Sequence, residues 1–524
     1  MLRTLLRSGL LQPGMPWRVA RQLLAFGKWG LGPAGEVQAA AARSPDRVAV
    51  VDEDRRVTYE ELLAQVEAVA QTLQKLQAER VGVLCRNHRG AVEGMVAALV
   101  SGANAVLLNT HLKAPQLLEV VREQRLDVLC HDAEFIDWAS SISGIELPWD
   151  RVARVHAPHL PAPGPPPAER PVPERPVSPG RPRRTARVVL LTAGTTGVPK
   201  GAALSRPPSP APLLALLSRI PLRVGDRILI AVPLFGTWGH SALQAAFALR
   251  ATVVLRRRFD PAETLRVMEA EGCTVLIAAP VMLERLLERP EQPPASLRLV
   301  VVGGSALRAR LATRFMDAYG DVLYNVYGST EVSCVSVATP SDLRRNPDTV
   351  GRPPRGTRVA VLGPAGELVP TGAVGRIFVS NSMLFSGYTS RESPTLGPER
   401  YQGMIATGDL GHLSDDELLF VDGREDDMIV SGGENVFPGP VETLIGELPQ
   451  VQEVAVIGVP DATYGQSLAA FIVLREGESL GPEQVRTYVR AHLMRSSVPR
   501  DVTFLPGLPR NPAGKVIPRE LPDR

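Results

Sequence analysis

The stretch that decides the fold spans residues 188–201 and reads VVLLTAGTTGVPKG. Its first four residues are apolar, which predicts a buried strand. Glycines and threonines follow and lead to Lys200. Glycines let backbone N–H groups converge on an anion, while threonine hydroxyls and a lysine add hydrogen bonds and charge. The stretch therefore predicts a phosphate-binding loop, although no Ser or Thr follows the lysine as in GxxxxGK[ST] loops.

Outward from this loop, short apolar runs recur on both sides, interleaved with segments of helical periodicity. Runs that are apolar on both faces predict buried, largely parallel strands. Thr58 and Glu61 form a capping box that predicts the start of a helix. The predicted fold class is α/β, with mixed, largely parallel sheets in a large domain. The predicted strands are 81–85, 105–108, 128–130, 188–191, 228–231, 275–278 and 299–302.

The domain prediction has three parts: a basic amphipathic segment at 1–35, a large domain at 36–423, and a small mobile α+β domain at 424–524. The small domain is predicted from strands at 454–457 and 471–474 and a helix at 482–494. The proline-rich stretch 157–184 cannot hold a helix or a central strand, so it is predicted to be a loop within the large domain.

Composition excludes several classes of protein. The 524 residues include 58 Lys+Arg and 55 Asp+Glu, a net charge of +3, which excludes a strongly basic nucleic-acid binder. The four cysteines are far apart and form no CxxC pair, so neither a disulfide framework nor a thiolate zinc site is indicated. No apolar run reaches the roughly 18 residues of a spanning helix. We expect a cytoplasmic protein with no nucleic-acid partner.

The first 35 residues carry five basic residues and no acidic one. We consider three interpretations, in this order: a helix pair packed on the large domain, a segment lying on an anionic membrane surface, and a transit peptide. Peripheral membrane contact is thus an expectation to be tested, and a homodimer is left open. The apolar residues that share one helical face are Leu2, Leu5, Leu6 and Leu10.

Four further motifs follow in order: YGSTE at 327–331, TGD at 407–409, DGR at 422–424 and PAGK at 512–515. Together with 192–201, they resemble the motifs of the adenylate-forming superfamily, which includes acyl-CoA synthetases, firefly luciferase and peptide-synthetase adenylation domains. The resemblance runs from about residue 41 to the end. It implies a two-step reaction, in which a carboxylate and ATP give an acyl-adenylate and pyrophosphate, and a thiol then displaces AMP.

The resemblance also implies the site residues. The large domain would bind ATP and the acyl group, with Lys515, Thr330, Glu331 and Lys200 in catalytic roles and Glu331 as the Mg²⁺ ligand; from sequence alone, Glu331 could instead be a helix-cap acid. Asp426 would be the hinge, and the loop with Ser431, Gly432 and Gly433 would pass coenzyme A. The nucleotide-binding residues would be Thr192, Gly194, Thr195, Thr196, Gly197, Gly303, Gly304, Ser305, Ala306, Asn325, Tyr327, Gly328, Asp409 and Arg424.

The acid is expected to be a medium- or long-chain fatty acid, because residues 85–90 and 431–436 resemble fatty acyl-CoA synthetases. Phe235, Trp238 and His240 are predicted to line the acyl pocket. The expected partners are fatty acid, ATP with Mg²⁺, and coenzyme A. Two alternatives are an acyl-AMP ligase that loads a carrier protein, and a nucleotide- or acyl-binding homologue without turnover.

The chain departs from the family pattern at four positions. Ala193 replaces a serine in the phosphate loop, and Gly236 replaces a histidine in the segment 233–239. Arg376 and Pro440 stand where the family has acids. These departures put rate and substrate size in question more than reaction type.

Overall fold

The structure is a computed structural model that describes residues 2–112, 114–135, 186–192, 200–204, 209–382, 399–425, 427–431, 434–461, 465–510 and 516–522. The predicted proline-rich loop, 157–184, lies outside them. The chain packs as two compact units. The first comprises Met1–Ala278, Glu288–Val301 and Ser382–Gly397, and the second comprises Ala279–Leu287, Val302–Asn381 and Pro398–Arg524.

In the first unit, strands alternate with helices as the sequence predicts. Its helices are α1 (Leu2–Ser8), α2 (Pro16–Trp29), α3 (Pro33–Arg43), α4 (Tyr59–Lys75), α5 (Arg89–Ser101), α6 (Ala114–Glu123), α7 (Ala211–Leu217), α8 (Thr237–Ala248) and α9 (Pro261–Ala270). Its strands are β1 (Val48–Val51), β2 (Arg56–Thr58), β3 (Arg80–Leu84), β4 (Asn104–Leu107), β5 (Val128–His131), β6 (Val188–Thr192), β7 (Lys200–Ala203), β8 (Arg227–Ile230), β9 (Thr252–Val254) and β10 (Val275–Ala278).

These strands form two sets, in the order β10-β8-β9-β1-β2 and β5-β3-β4-β6-β7. The pairs β1–β2 and β6–β7 are antiparallel and the other pairs are parallel. The strands predicted from 81–85 to 275–278 are confirmed, with small differences at their ends. Their parallel pairing is explained by helices that cross over between successive strands and cover the sheet faces.

Helix α4 shows how local sequence fixes an element. The predicted capping box is confirmed: the Glu61 N–H donates to Thr58 Oγ1 at 3.2 Å, and the Thr58 N–H donates to Glu61 Oε2 at 2.7 Å. These bonds satisfy two backbone donors at the helix start. The apolar side chains of Leu62, Val66 and Leu73 on one face of α4 are buried and hold the helix against the core.

Strand β11 (Leu299–Gly303) leads into the second unit, where antiparallel pairing dominates. The helices there are α10 (Pro280–Leu287), α11 (Ala309–Tyr319), α12 (Pro340–Arg345), α13 (Pro438–Gly446) and α14 (Pro482–His492). The strands are β12 (Leu323–Ser329), β13 (Ser333–Ala338), β14 (Arg358–Leu362), β15 (Gly375–Ser380), β16 (Arg400–Tyr401), β17 (Met404–Leu413), β18 (Leu419–Arg424), β19 (Ile429–Ser431), β20 (Glu434–Val436), β21 (Val451–Asp461), β22 (Gly465–Leu474) and β23 (Asp501–Phe504).

In this unit β12 and β13 pair antiparallel, and β14-β15-β17-β16 form a sheet in which β18 also pairs with β17. A further sheet, β20-β19-β22-β21 with β23 on β22, belongs to the separate C-terminal α+β domain. Its apolar core includes Val441 of α13, Ile472 of β22 and Val485 of α14. The boundary predicted after residue 423 lies within β18, and both that boundary and the domain's mobility stay predictions.

None of the helices that the structure describes is long and apolar enough to cross a membrane. The four cysteines Cys85, Cys130, Cys273 and Cys334 are free thiols, and all except Cys334 are buried.

Candidate active site

The predicted phosphate loop connects the two strands of a hairpin. Strands β6 and β7 pair antiparallel with Thr192 opposite Lys200. The hairpin therefore brings the two ends of the glycine- and threonine-rich run together at one edge of the sheet. The predicted ligands between them, Gly194, Thr195, Thr196 and Gly197, lie outside the described residues.

Four of the predicted nucleotide-binding residues, Gly303 to Ala306, lie at the end of β11 and directly after it. Gly303 is the buried last residue of that strand, and Gly304 has a φ of +85°, in the left-handed region that favours glycine. Ser305 is half-buried and Ala306 is exposed. A turn of such small residues leaves backbone accessible to a flat ring.

The YGSTE segment forms the end of β12 and the turn into β13. Asn325 is buried opposite Ala338. A Cβ on Gly328 would lie 1.9 Å from the Ser333 carbonyl oxygen, so only glycine fits there. Thr330 lies in the turn.

Glu331 lies in the same turn, so the helix-cap alternative is wrong. Ser329 Oγ donates to Glu331 Oε2 at 2.8 Å, and the Glu331 N–H lies 3.2 Å from Ser329 Oγ. The Asn381 amide also donates to the Val332 carbonyl at 2.6 Å, which fixes the turn. A half-buried carboxylate oriented in this way fits a hard cation such as Mg²⁺.

Three predicted nucleotide ligands meet on the second unit. Asp409 on β17 is the register partner of Arg424 on β18, and Arg424 Nη1 lies 3.8 Å from Asp409 Oδ1. The Tyr327 hydroxyl donates to the other carboxylate oxygen of Asp409. The Asp409 N–H donates to Thr407 Oγ1 at 3.0 Å, and this hydroxyl in turn donates to the Ile377 carbonyl at 3.1 Å. The carboxylate is thus held by Tyr327 and faces Arg424, while the backbone of Asp409 is fixed by Thr407.

This geometry has a clear chemical consequence. Burial and the charge of Asp409 raise the pKa of Tyr327 well above its ordinary value, so its hydroxyl stays protonated and donates. An ionised carboxylate has about four lone-pair positions, and Tyr327 uses one of them. A carboxylate of this kind can accept hydrogen bonds from the hydroxyls of a ribose.

Arg376, one of the departures from the family pattern, has acidic partners that the sequence did not reveal. Its Nη2 donates to Glu399 Oε2 at 2.7 Å and its Nε to Glu425 Oε2 at 3.1 Å, while the guanidinium lies 5.3 Å from the Phe378 ring centroid. The Glu425 N–H also donates to the Gly408 carbonyl at 2.9 Å. Arg376 thereby fixes the residue that directly precedes the predicted hinge, Asp426, which lies outside the described residues.

The predicted acyl-pocket residues lie around the start of α8 in the first unit. Trp238 Nε1 donates to the Ala278 carbonyl at 3.0 Å, which fixes the indole plane. The Phe235 ring lies 6.5 Å from that of His111. His240 is buried, and burial lowers its pKa to about 4, so its imidazole is neutral at pH 7. A Cβ on Gly239 would lie 2.2 Å from the Pro233 carbonyl oxygen, so the first turn of α8 also requires glycine.

Asn87 fixes this pocket segment and was not predicted as a site residue. Its Nδ2 donates to the Val232 carbonyl at 2.7 Å, and its Oδ1 accepts from the Leu234 N–H at 2.9 Å. Asn87 is 7% exposed. The position of Asn87 just after a buried strand did not predict these bonds, because an asparagine at such a position can form many other hydrogen bonds.

A cluster of the buried Cys85 and His88 with the half-buried Asp132 adjoins Asn87, with ligand atoms within 4.8 Å of one another. His88 Nε2 lies 2.6 Å from Asp132 Oδ1, while its Nδ1 accepts from the Gly90 N–H at 3.1 Å. Asp132 Oδ2 accepts from the Arg86 N–H at 2.9 Å. Protein groups already bond both ring nitrogens of His88 and both carboxylate oxygens of Asp132. These bonds fix the residues that follow β3 and do not favour a metal site.

The predicted catalytic lysine, Lys515, lies outside the described residues, but the residues that flank its loop are described. Arg510 and Val516 form an antiparallel bridge, and Arg510 Nη2 lies 2.9 Å from Glu453 Oε2. The loop is therefore closed at its base and tied to β21. Ser431 is buried at the end of β19, whereas Gly432 and Gly433 lie outside the described residues.

Comparison with known protein families shows which family this chain belongs to. The profile described as AMP-binding enzyme matches residues 37–389, and that described as AMP-binding enzyme C-terminal domain matches 440–515. The chain belongs to the AMP-binding enzymes. The resemblance to the adenylate-forming superfamily is thus confirmed.

Individual relatives of this AMP-binding enzyme share most of its length. A feruloyl-CoA synthase of Amycolatopsis sp is 31% identical over 493 residues, 92% of this chain and 96% of that protein. A 2-succinylbenzoate–CoA ligase of Bacillus cereus (strain AH820) is 30% identical over 485 residues, 91% of this chain and 95% of that protein.

Solved structures give the same fold. The amide bond synthetase McbA from Marinactinospora thermotolerans matches with a TM-score of 0.81 at 28% identity, over 93% of this chain and 98% of that chain. The o-succinylbenzoate CoA synthetase MenE from Bacillus subtilis, in complex with its acyl-adenylate, matches with a TM-score of 0.79 at 26% identity, over 93% and 98%. Family and relatives together support an ATP-dependent acid–CoA ligase that acts through an acyl-adenylate; they do not support a restriction to fatty acids.

Proposed function

We propose that this enzyme activates an aromatic carboxylic acid with ATP and transfers the acyl group to coenzyme A. The main support for adenylation is the position of the Asp409 carboxylate, which Tyr327 fixes and which faces Arg424. A carboxylate held in this way is suited to bind a ribose. The choice of an aromatic acid rather than the expected fatty acid follows the relatives, whose names specify feruloyl and 2-succinylbenzoate substrates.

The pocket segment supports the same substrate class. The Trp238 indole is fixed by its bond to the Ala278 carbonyl, and the Phe235 ring lies 6.5 Å from that of His111. Aromatic walls of fixed orientation favour a flat ring, which stacks on them, over a flexible alkyl chain. His240 is neutral and supplies no charge. We therefore expect recognition of the acid's ring to be mainly apolar.

In the proposed first step, a carboxylate oxygen attacks the α-phosphorus, the bond from that phosphorus to the bridging oxygen breaks, and pyrophosphate leaves. Lys515 would stabilise the charge that develops on the α-phosphate, and Lys200 with the threonines of its loop would hold the phosphates. Mg²⁺ bound by Glu331 and the phosphates would neutralise their charge.

In the proposed second step, the coenzyme A sulfur attacks the acyl carbon, the acyl–oxygen bond breaks, and AMP leaves. The thiol proton passes to solvent. Motion about Asp426 would replace the Lys515 loop at the site with the loop that contains Ser431, Gly432 and Gly433, whose glycines allow a pantetheine arm to pass close to the backbone.

The test is pyrophosphate release from Mg-ATP with ferulate, indoleacetate, anthranilate and 2-succinylbenzoate, compared with fatty acids from acetate to long chains, with and without coenzyme A. We expect an aromatic acid to give the highest kcat/KM, and acyl-CoA to form only when coenzyme A is present. A fatty acid as the best substrate would refute the aromatic assignment alone. No release with any acid, while ATP still binds, would refute the ligase.

The McbA match favours a second acceptor, an amine, because that protein is an amide bond synthetase. In that reaction the amine nitrogen would attack the acyl carbon in place of sulfur, again releasing AMP. Replacing coenzyme A with benzylamine in the same assay separates the two acceptors. Amide formation with no thioester would favour the amine.

A further inference from the structure

Helices α1 and α2 and the residues between them expose several large apolar side chains to solvent. Six of the nine strongly exposed large apolar side chains in the described residues lie between positions 6 and 24. We call this set, together with the exposed basic residues beside it, the basic apolar face. Its apolar members are Leu6 (61% exposed), Leu11 (50%), Met15 (52%), Trp17 (57%), Leu23 (66%) and Leu24 (72%).

The opposite side of the same segment is packed on the first unit. Trp29 at the end of α2 is only 6% exposed, and the Val224 N–H donates to the Ser8 carbonyl at 2.7 Å. Arg43 Nη2 donates to the Gln12 carbonyl at 3.0 Å, and Arg18 lies 3.5 Å from Asp46. The helix pair is thus held in place, and the exposure of its outer face does not arise from lack of packing.

The charge of this face is of one sign. Arg7, Arg21 and Lys28 are exposed, and no acidic residue precedes Glu36. On α2, Trp17, Arg21, Leu24 and Lys28 follow at intervals of four or three residues, so apolar and basic groups share one side of the helix. Such a mixture suits the interface between acyl chains and anionic headgroups, where leucines and an indole enter and the cations meet phosphates.

We propose that the basic apolar face docks this enzyme on an anionic lipid membrane. The helices lie in the plane of the interface and do not span the bilayer, since none that the structure describes is long and apolar enough. A symmetric pairing of two copies through the same face is disfavoured, because it would set cations against cations. This proposal is independent of which acid the enzyme activates.

Sedimentation with phosphatidylcholine vesicles, with and without phosphatidylglycerol, tests it. We expect the full chain to bind only the vesicles with phosphatidylglycerol, and salt to weaken that binding. The double variant Leu23→Ser/Leu24→Ser should raise the lipid concentration for half-maximal binding by at least about tenfold. Arg21→Glu/Lys28→Glu should raise it by about tenfold as well. Leu368→Ser, which removes a leucine 74% exposed in the second unit, is the matched control and should change nothing.

Thermal unfolding and pyrophosphate release of each variant should match the wild type, which separates loss of docking from loss of folding or activity. Absence of vesicle binding would overturn the proposal, as would binding that neither double variant weakens. A concentration-dependent dimer, measured by sedimentation velocity without lipid and abolished by Leu23→Ser/Leu24→Ser, would assign the face to a second copy instead.

Discussion

Tyr327 donates its hydroxyl to the carboxylate of Asp409, although the two residues are 82 positions apart on strands β12 and β17. Because burial and the Asp409 charge raise the pKa of Tyr327, its hydroxyl stays protonated and can donate at neutral pH. It joins the YGSTE segment to the TGD segment. The orientation of the Asp409 carboxylate, which is proposed to bind the ribose, therefore depends on Tyr327, a residue from another motif.

Replacing Tyr327 with Phe should chiefly weaken ATP binding. A hydrogen bond to a charged group contributes roughly 1.5 to 3 kcal/mol, so we expect the KM for ATP to rise by about tenfold or more, with a smaller change in kcat. The measurement is pyrophosphate release against ATP concentration. Tyr401→Phe is the control, since the Tyr401 hydroxyl accepts from the side chain of the adjacent Gln402, which is not a predicted site residue, and its KM for ATP should stay unchanged. An unaltered KM in Tyr327→Phe would contradict a role for the pair in nucleotide binding.

Arg376 should influence the second half-reaction more than the first. It bonds Glu425, which directly precedes the proposed hinge, and Glu399. Arg376→Ala removes two partly exposed ion pairs, so we expect stability to fall by at most about 1 kcal/mol. Because the constraint on Glu425 is lost, the rate of thioester formation should change by about fivefold, an energy of roughly 1 kcal/mol.

The measurement compares pyrophosphate exchange, which reports adenylation, with transfer of the acyl group from preformed acyl-adenylate to coenzyme A. Arg345→Ala is a matched control, because Arg345 forms an exposed ion pair with Asp416 at 3.2 Å. Equal effects of Arg376→Ala on both half-reactions would argue against a hinge role.

Some of these relationships follow from the sequence and some do not. The strands of the first unit could be predicted because their residues are apolar on both faces, and helix α4 because Thr58 and Glu61 cap it. Asp409 and Arg424 belong to motifs close together in the chain, and an antiparallel hairpin places them opposite each other. Local sequence carries all of this information.

Contacts between distant strands could not be predicted in the same way. His88 meets Asp132 only because β3 pairs with β5 in one register, and a shift by one residue would reverse the side chains. Arg376 on β15 meets Glu399 and Glu425 because β16 and β18, which these residues flank, both pair with β17. The sequence showed that Arg376 departs from the family pattern, but it did not predict which residues Arg376 contacts.

Asn87→Ala should disturb the pocket segment. It leaves the buried Val232 carbonyl and Leu234 N–H without their partner, which costs about 1 to 3 kcal/mol for each group left unsatisfied. The segment that carries Phe235 and Trp238 then loses its fixed position, so the KM for the acid should rise more than the KM for ATP. Asn87→Asp keeps the acceptor for Leu234 but sets a buried carboxylate against the Val232 carbonyl, so it should show at least as large an increase. Equal KM changes for acid and ATP in Asn87→Ala would indicate a general structural defect.

His240 should make the folded protein less stable in mild acid. Its pKa falls from the usual 6.5 to about 4 because it is buried, so between these values the unfolded chain binds a proton that the folded chain does not. Its contribution to stability is therefore present above pH 6.5 and lost as the pH falls towards 4, by roughly 3 kcal/mol. His240→Leu should flatten this part of the stability profile, measured by chemical unfolding across the range. An unchanged slope would show that His240 is protonated in the folded state.

Glu36 should have the opposite effect at higher pH. Burial raises its pKa from 4.5 to about 8, and its Oε1 accepts from Gln244 Nε2 at 3.3 Å. Above pH 4.5 the unfolded chain releases a proton that the folded chain retains, so the free energy of unfolding falls as the pH rises towards 8. Glu36→Gln keeps the shape of the side chain without the titration. It should raise stability at pH 8 by up to roughly 4 kcal/mol while changing little at pH 4. If the variant is no more stable than the wild type at pH 8, Glu36 is ionised in the folded protein and the site accommodates its charge.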